Sequence, residues 1–235
     1  MLKMAAVARL RLIYSKGGLA RFLAHLDTCN VLQRAVRRAE LPVAFSEGFS
    51  PHPRVSFGPP LPIFVEGERE ICDVELVEEL PVQQAVERMN RTLPSGFAVV
   101  EASVVPLKAP SITAAVRQAT YRVAALDGEL GVTEARVAQV LSRQEIVIEK
   151  ESRGARRSVD IRPAILALTV VEAGLEAVLE ASPSRTLNVF DLIREVVPGY
   201  EPAWLGRLAV VRTGLALAAD EASPVAPRPA RPRVP

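Results

Sequence analysis

Two hydrophobic periods alternate along this 235-residue chain, and their order constrains the fold more than any other feature. Arg9 to Ser15 (RLRLIYS) alternates polar and apolar residues, as a half-buried strand does. Past Lys16-Gly17-Gly18 the period becomes helical over Leu19 to Glu40, where Phe22, Leu26, Cys29, Leu32 and Val36 form one apolar stripe. Leu41-Pro42 ends that helix, because a residue before proline avoids the α region. An irregular Pro/Gly/Ser-rich stretch, Ser46 to Pro62, contains a short strand at Arg54 to Phe57. Glu70 to Val77 alternates again, Pro81 to Leu93 is helical, and Gly96 to Val105 is a strand.

That order is β-α-β-β-α-β, the ferredoxin-like pattern, and the remainder repeats it. A strand at Thr120 to Ala125 precedes a helix at Thr133 to Ser142 that Thr133 caps. Strand-like runs follow at Glu145–Glu149, Arg157–Ile161, Ile165–Val171 and Leu175–Glu180, then a helix at Leu187–Val197 and a closing strand at Arg207–Leu215. The expected class is therefore α+β, with two ferredoxin-like domains in tandem, at 1–110 and 116–220. Residues 221–235, rich in Pro and Arg, read as a disordered tail.

Formal net charge is only +2, but it is unevenly placed. Residues 1–64 carry +6, residues 65–222 carry −7, and the last 13 carry +3. A basic first block suits an anionic partner. High apolar content excludes whole-chain disorder, and the absence of an uncharged apolar run of about 18 residues argues against a transmembrane span. The Met1–Leu12 segment carries Lys3, Arg9 and Arg11 and has no apolar signal core, so the expected location is the cytoplasm. Two cysteines, Cys29 and Cys72, are too few for a disulfide scaffold or a four-thiolate metal site.

The basic block holds the densest candidate chemistry. In Phe45-Ser-Glu-Gly-Phe-Ser-Pro-His-Pro-Arg54, Gly48 permits close backbone approach, while Pro51 and Pro53 hold His52 extended. Ser46, His52 and Arg54 suit a phosphate and Phe49 offers a stacking face, which fits an RNA loop or a nucleotide. On the first helix, Arg21 and His25 share an edge four residues apart, and Arg34, Arg37 and Arg38 supply further cations. The blander alternatives are a proline-rich connection and a solvated basic face. His25 and His52 are the only histidines, and a pair of imidazoles can run metal-free RNA cleavage as general base and acid. No HExxH, Walker A, GxGxxG or GxSxG motif is present, so no metal site and no cofactor are expected. In the second half Asp160 and Arg162 stand out, Asp160 as a candidate for a bidentate pair with Arg162 or a neighbour; the blander alternative is a structural ion pair on a strand edge.

Phe22-Leu-Ala-His-Leu-Asp27, Arg34-Ala-Val-Arg-Arg38 and Ser46-Glu-Gly-Phe-Ser-Pro-His-Pro-Arg-Val-Ser-Phe57 together resemble the radical-SAM-linked family. That bacterial family is found fused to, or encoded beside, radical SAM enzymes. Val159-Asp160-Ile-Arg162-Pro163 and Arg212-Thr-Gly214 extend the resemblance over residues 9–215. Glu47, Ser50 and Phe64 depart from it, standing where the family usually has Gln, Asn and Gly. The resemblance implies a radical SAM enzyme as partner. The chain cannot be that enzyme, having no CxxxCxxC triad to hold the cluster. The expected function is an accessory protein that binds or presents RNA, tRNA or rRNA, to a radical SAM enzyme. The rivals are an endoribonuclease using His25 and His52, and a module that docks on the radical SAM partner.

Overall fold

The computed structural model describes residues 5–47, 49–152, 155–172 and 174–218. Gly48 and the 221–235 tail lie outside these residues. In the first half, β1 (Ala8–Lys16) leads through a short 3-10 turn (Gly18–Phe22) into α1 (His25–Arg38). There follow β2 (Val55–Phe57), β3 (Val65–Leu76), α2 (Val82–Thr92) and β4 (Phe97–Val105). A single-turn helix, α3 (Ile112–Ala115), opens the second half. It continues with β5 (Val116–Ala125), α4 (Glu134–Ser142), the hairpin β6 (Val147–Ser152) and β7 (Ala155–Asp160), β8 (Ile165–Val171) and β9 (Gly174–Ser182). The chain then forms β10 (Arg185–Thr186), α5 (Val189–Val196) and β11 (Leu208–Leu217).

Among the described residues, nine strands make one mostly antiparallel sheet, in the order β10-β9-β5-β11-β3-β1-β4, with β2 added to β3 and β8 to β9. The halves meet where β11 runs parallel to β3, with Val210, Val211 and Arg212 opposite Val65, Glu66 and Gly67. Within each half the helix-linked strands take the same order, β4-β1-β3-β2 and β11-β5-β9-β8. Among the described residues, no helix is long and apolar enough to cross a membrane.

The strand pleat sorts the core. Leu10, Leu12 and Tyr14 of β1 face α1 and α2, where they pack with Leu32, Val36, Ala85 and Met89. Ile13 points the other way and joins the larger core built from β5, β9, α5 and β11. Arg11 faces that way too, but it is buried and bidentate to Asp73 (2.9 and 3.0 Å), so the polar side of this strand does not face solvent.

The expected continuous helix over Leu19–Glu40 is broken. Leu23 and Ala24 are extended, and the Lys16 ammonium donates to the Leu23 carbonyl across the break (2.8 Å). The apolar stripe is correspondingly split: Leu32 and Val36 are buried, whereas Phe22 and Leu26 are exposed. Phe64, where the resembled family has glycine, carries φ +71°, the left-handed region that favours glycine.

Candidate functional site

Charged residues gather at the two ends of β1. At the end where β1 finishes, Arg212 of β11 and Glu70 of β3 form a buried, bidentate pair, with the Arg212 Nε donating at 2.8 Å. The remaining Arg212 donors hold the carbonyls of Pro59 (2.8 Å) and Pro60 (3.3 Å) and reach the Tyr121 hydroxyl (3.5 Å). Gly67 makes this possible, because a Cβ there would lie 2.5 Å from Glu70 Cγ, whose side chain crosses β3 at that point. Burial disfavours the Arg212 charge, but Glu70 and Tyr121 outweigh it and hold its proton more tightly than usual.

Against this pair lies a small cavity lined by Tyr14, Lys16, His25, Thr28, Gly58, Pro59, Leu61 and Glu70. Burial lowers the Lys16 ammonium's proton affinity, while Glu70 and Asp27 favour its charge. Burial also pulls His25 below its ordinary value, helped by the positive charges of Lys16 and Arg212. Its ring packs edge-on against Phe57, with centroids 6.3 Å apart, and its Nε2 lies 3.5 Å from Cys29 Sγ. The Cys29 thiol is pushed up by burial, and the fully buried Cys72 thiol further still.

At the other end, where β1 begins, the proline-rich loop folds into a narrow hairpin. Ser46 N–H donates to the His52 carbonyl (2.8 Å), His52 N–H donates to Ser46 Oγ (3.0 Å), and Arg54 N–H donates to the Ala44 carbonyl (2.7 Å). Phe49 stands fully exposed at its tip, with His52 exposed beside the rungs. The loop docks on the last residues of β3, through Val43 opposite Leu76 and Ala44 N–H to the Glu75 carbonyl (2.8 Å). α1 ends at this same side.

The predicted residues divide between the two ends. His25 lies at the cavity and His52 in the hairpin; roughly 15 Å of extended chain runs from His52 to Phe57, the ring on which His25 packs. The structure does not bring the two imidazoles to one phosphodiester. Arg21 and His25, expected on one helix edge, are separated by the break; the Arg21 guanidinium stacks on Phe22 (4.9 Å) and faces Glu66 (3.8 Å). Arg34 and Arg37 are exposed on α1. Arg38 instead donates to the Thr92 carbonyl at the end of α2, and Arg54 pairs with Glu75 (3.0 Å). Both are thus partly spent on the fold.

Asp160 and Arg162 do not form the expected ion pair. Asp160 Oδ1 accepts from the backbone N–H groups of Ile146 (2.8 Å) and Arg162 (3.0 Å), which hold its carboxyl below the usual range. The Arg162 guanidinium caps α4 through the Leu141 carbonyl and also reaches those of Arg143 and Ile165. Two backbone donors and three carbonyls satisfy these groups better than one another, so the motif is structural. The buried Glu70–Arg212 pair escaped the pattern reading, although Arg212 is the one charge within the apolar run Leu208–Leu217. Among the described residues no cluster of His, Cys, Asp and Glu suits a metal ion.

Residues 9–189 match the sequence model of a family described as an uncharacterized protein conserved in bacteria (DUF2344). The chain belongs to the DUF2344 family. No curated protein matches its sequence. Among solved structures it is similar to an archaeal box H/ACA sRNP Nop10–Cbf5 complex, at 12% identity and TM-score 0.40, covering 91% of this chain and 49% of the other. It is also similar to a Cbf5–Nop10–Gar1 complex, at 16% identity and TM-score 0.42, covering 89% and 49%. This DUF2344 chain therefore spans about half the length of the solved chains it matches.

Proposed function

We propose that this DUF2344 protein is a non-catalytic RNA-binding protein that holds single-stranded RNA at the 44–54 hairpin and presents it to a radical SAM enzyme. The observation that carries the reading is the Phe49 ring. An aromatic held fully in water on a bonded hairpin gains nothing for the fold, and it suits stacking against an unpaired base. His52 flanks it, and Arg34 and Arg37 are exposed on the helix that ends at the same side of the sheet, where they suit phosphates. Arg54 and Arg38 contribute less, being paired already. The strand order shared by the two halves supports reading each as a ferredoxin-like unit. The radical SAM partner rests on the family resemblance alone.

Fluorescence anisotropy with labelled single-stranded RNA at low salt tests the binding. Affinity should fall steeply as salt rises and drop on Phe49→Ala. The proposal fails if no RNA binds more tightly than about 100 μM, the weak limit of non-specific binding. The exposed Phe45 beside Phe49 also suits a protein surface. Co-purification of the radical SAM enzyme that survives ribonuclease and is lost on Phe49→Ala would favour that second reading.

A further inference from the structure

At the break that precedes α1, a cavity sets the donors of Tyr14 and Lys16 beside one carboxylate, Glu70, with Gly58, Pro59 and Leu61 completing its wall. Tyr14, only 6% exposed, lines it, and its hydroxyl has no hydrogen-bond partner among the described residues. Lys16, 1% exposed, spends one of its three N–H groups on the Leu23 carbonyl. α1 begins here with Ala24 in the N-cap position, so no side chain satisfies its first N–H groups, and its first residue, His25, lines the cavity. The carboxylate in the wall, Glu70, is already bound by Arg212, and the Thr28 hydroxyl donates to the Ala24 carbonyl. Asp27 is exposed in the first turn of α1. The cavity, about 10 Å³, admits a single atom of water size.

Three large apolar side chains near this point in sequence are exposed, Phe22 while packing edge-on against Phe64 and under the Arg21 guanidinium. Leu19 is 85% exposed, Leu26 74% and Phe22 44%, all within eight positions around the break. Exposed apolar groups of this size, gathered in one short segment, mark a binding surface.

We propose that this cavity is a binding site for one oxygen of a phosphate monoester, received by the Tyr14 hydroxyl and the Lys16 ammonium, with Phe22, Leu26 and Leu19 contacting the ring or chain that carries the phosphate. A neutral tyrosine hydroxyl and an ammonium both donate, and a free helix N-terminus favours negative charge. Burial and Glu70 keep the Tyr14 proton in place well above its ordinary value, so it stays a donor. The site lies at the end of β1 opposite the Phe49 hairpin and does not depend on the RNA reading.

Phenyl phosphate, which combines the oxygen and the ring, is the probe. Titration by isothermal calorimetry or by NMR should show saturable binding with Kd below about 1 mM, corresponding to modest affinity. Tyr14→Phe removes only the hydroxyl and should weaken binding about 5–10-fold with an unchanged unfolding midpoint. Lys16→Met should abolish it. If Lys16→Met fails to fold, Tyr14→Phe decides alone. Benzyl alcohol, the neutral ring, should not bind, and inorganic phosphate should bind more weakly than phenyl phosphate. A folded Tyr14→Phe protein with unchanged affinity, or equal binding of benzyl alcohol, overturns the proposal. So does the absence of saturation up to about 10 mM. Equal affinity for inorganic phosphate overturns the role assigned to Phe22, Leu26 and Leu19.

Discussion

The two ends of β1 lie about 26 Å apart, nine residues of one strand, yet they treat charge in opposite ways. At the Lys16 end, the cations are buried and answered: Arg212 by Glu70 and two proline carbonyls, Lys16 by Leu23. At the Ala8 end, Arg37 and His52 are exposed, and the exposed aromatic, Phe49, stands on a hairpin rather than in the core. The +6 of the first block is therefore two things. Arg11 and Lys16 are buried inside the first half, whereas Arg34 and Arg37 are surface. Substitutions at the seam and at the hairpin should separate accordingly, stability from RNA binding.

The largest effect is expected at the seam. Arg212→Met leaves the Glu70 carboxylate buried without its partner, which should cost about 3–5 kcal/mol of stability, measured by urea unfolding. Arg212→Met combined with Glu70→Gln should recover much of that loss. If the single variant unfolds like wild type, the seam is not the structural end. Gly67→Ala places a Cβ on the Glu70 side chain and should cost about 1–3 kcal/mol. At the exposed end, Phe49→Ala should leave the unfolding midpoint unchanged and cost about 1–3 kcal/mol in single-stranded RNA binding. A stability loss there instead would erase the contrast. Arg37→Ala should lower the salt slope of RNA binding by about 1 and change little else.

The smallest effect is a pH dependence. The lowered folded affinity of His25 means that the unfolded chain binds its proton first as pH falls through about 6.5. Stability should therefore decline from pH 7 toward the lowered folded value and level off below it. His25→Gln should flatten that decline in urea midpoints measured at pH 7 and 5.5. An identical slope in both proteins would remove His25 as its source.

Much of the element order was legible because period and punctuation agree. Ile165–Val171 matches β8 at both ends, and α2 and α4 fall within a residue of the helices expected from Pro81 and Thr133. What the pattern could not show is long-range. The alternation of Arg9 to Ser15 marks Arg11 as outward, yet a partner 62 positions away, Asp73, lets it be buried. The periodicity across Leu19–Glu40 runs straight through a break that depends on a lysine from the preceding strand. Asp160 and Arg162 are neighbours in sequence, which suggested each other, whereas the backbone offered both of them better partners. Of the candidate site, the prolines and serines marked an irregular loop, but not the hairpin that the Ser46–His52 and Ala44–Arg54 bonds close. The cavity was not legible, since Tyr14, Lys16 and Glu70 are joined only by pairing of β1 with β3.

The parallel seam between β3 and β11 also orders events in time. Glu70 and Arg212 are 142 positions apart, so during synthesis the carboxylate is made long before the guanidinium that answers it. At a typical rate of about 5–20 residues per second, that interval is roughly 7–30 s. Until then Glu70 must stay hydrated, and the Pro59 and Pro60 carbonyls lack the guanidinium that binds them. The first half can pack α1 and α2 on its own strands early, but its cavity takes final form only when the last strand closes.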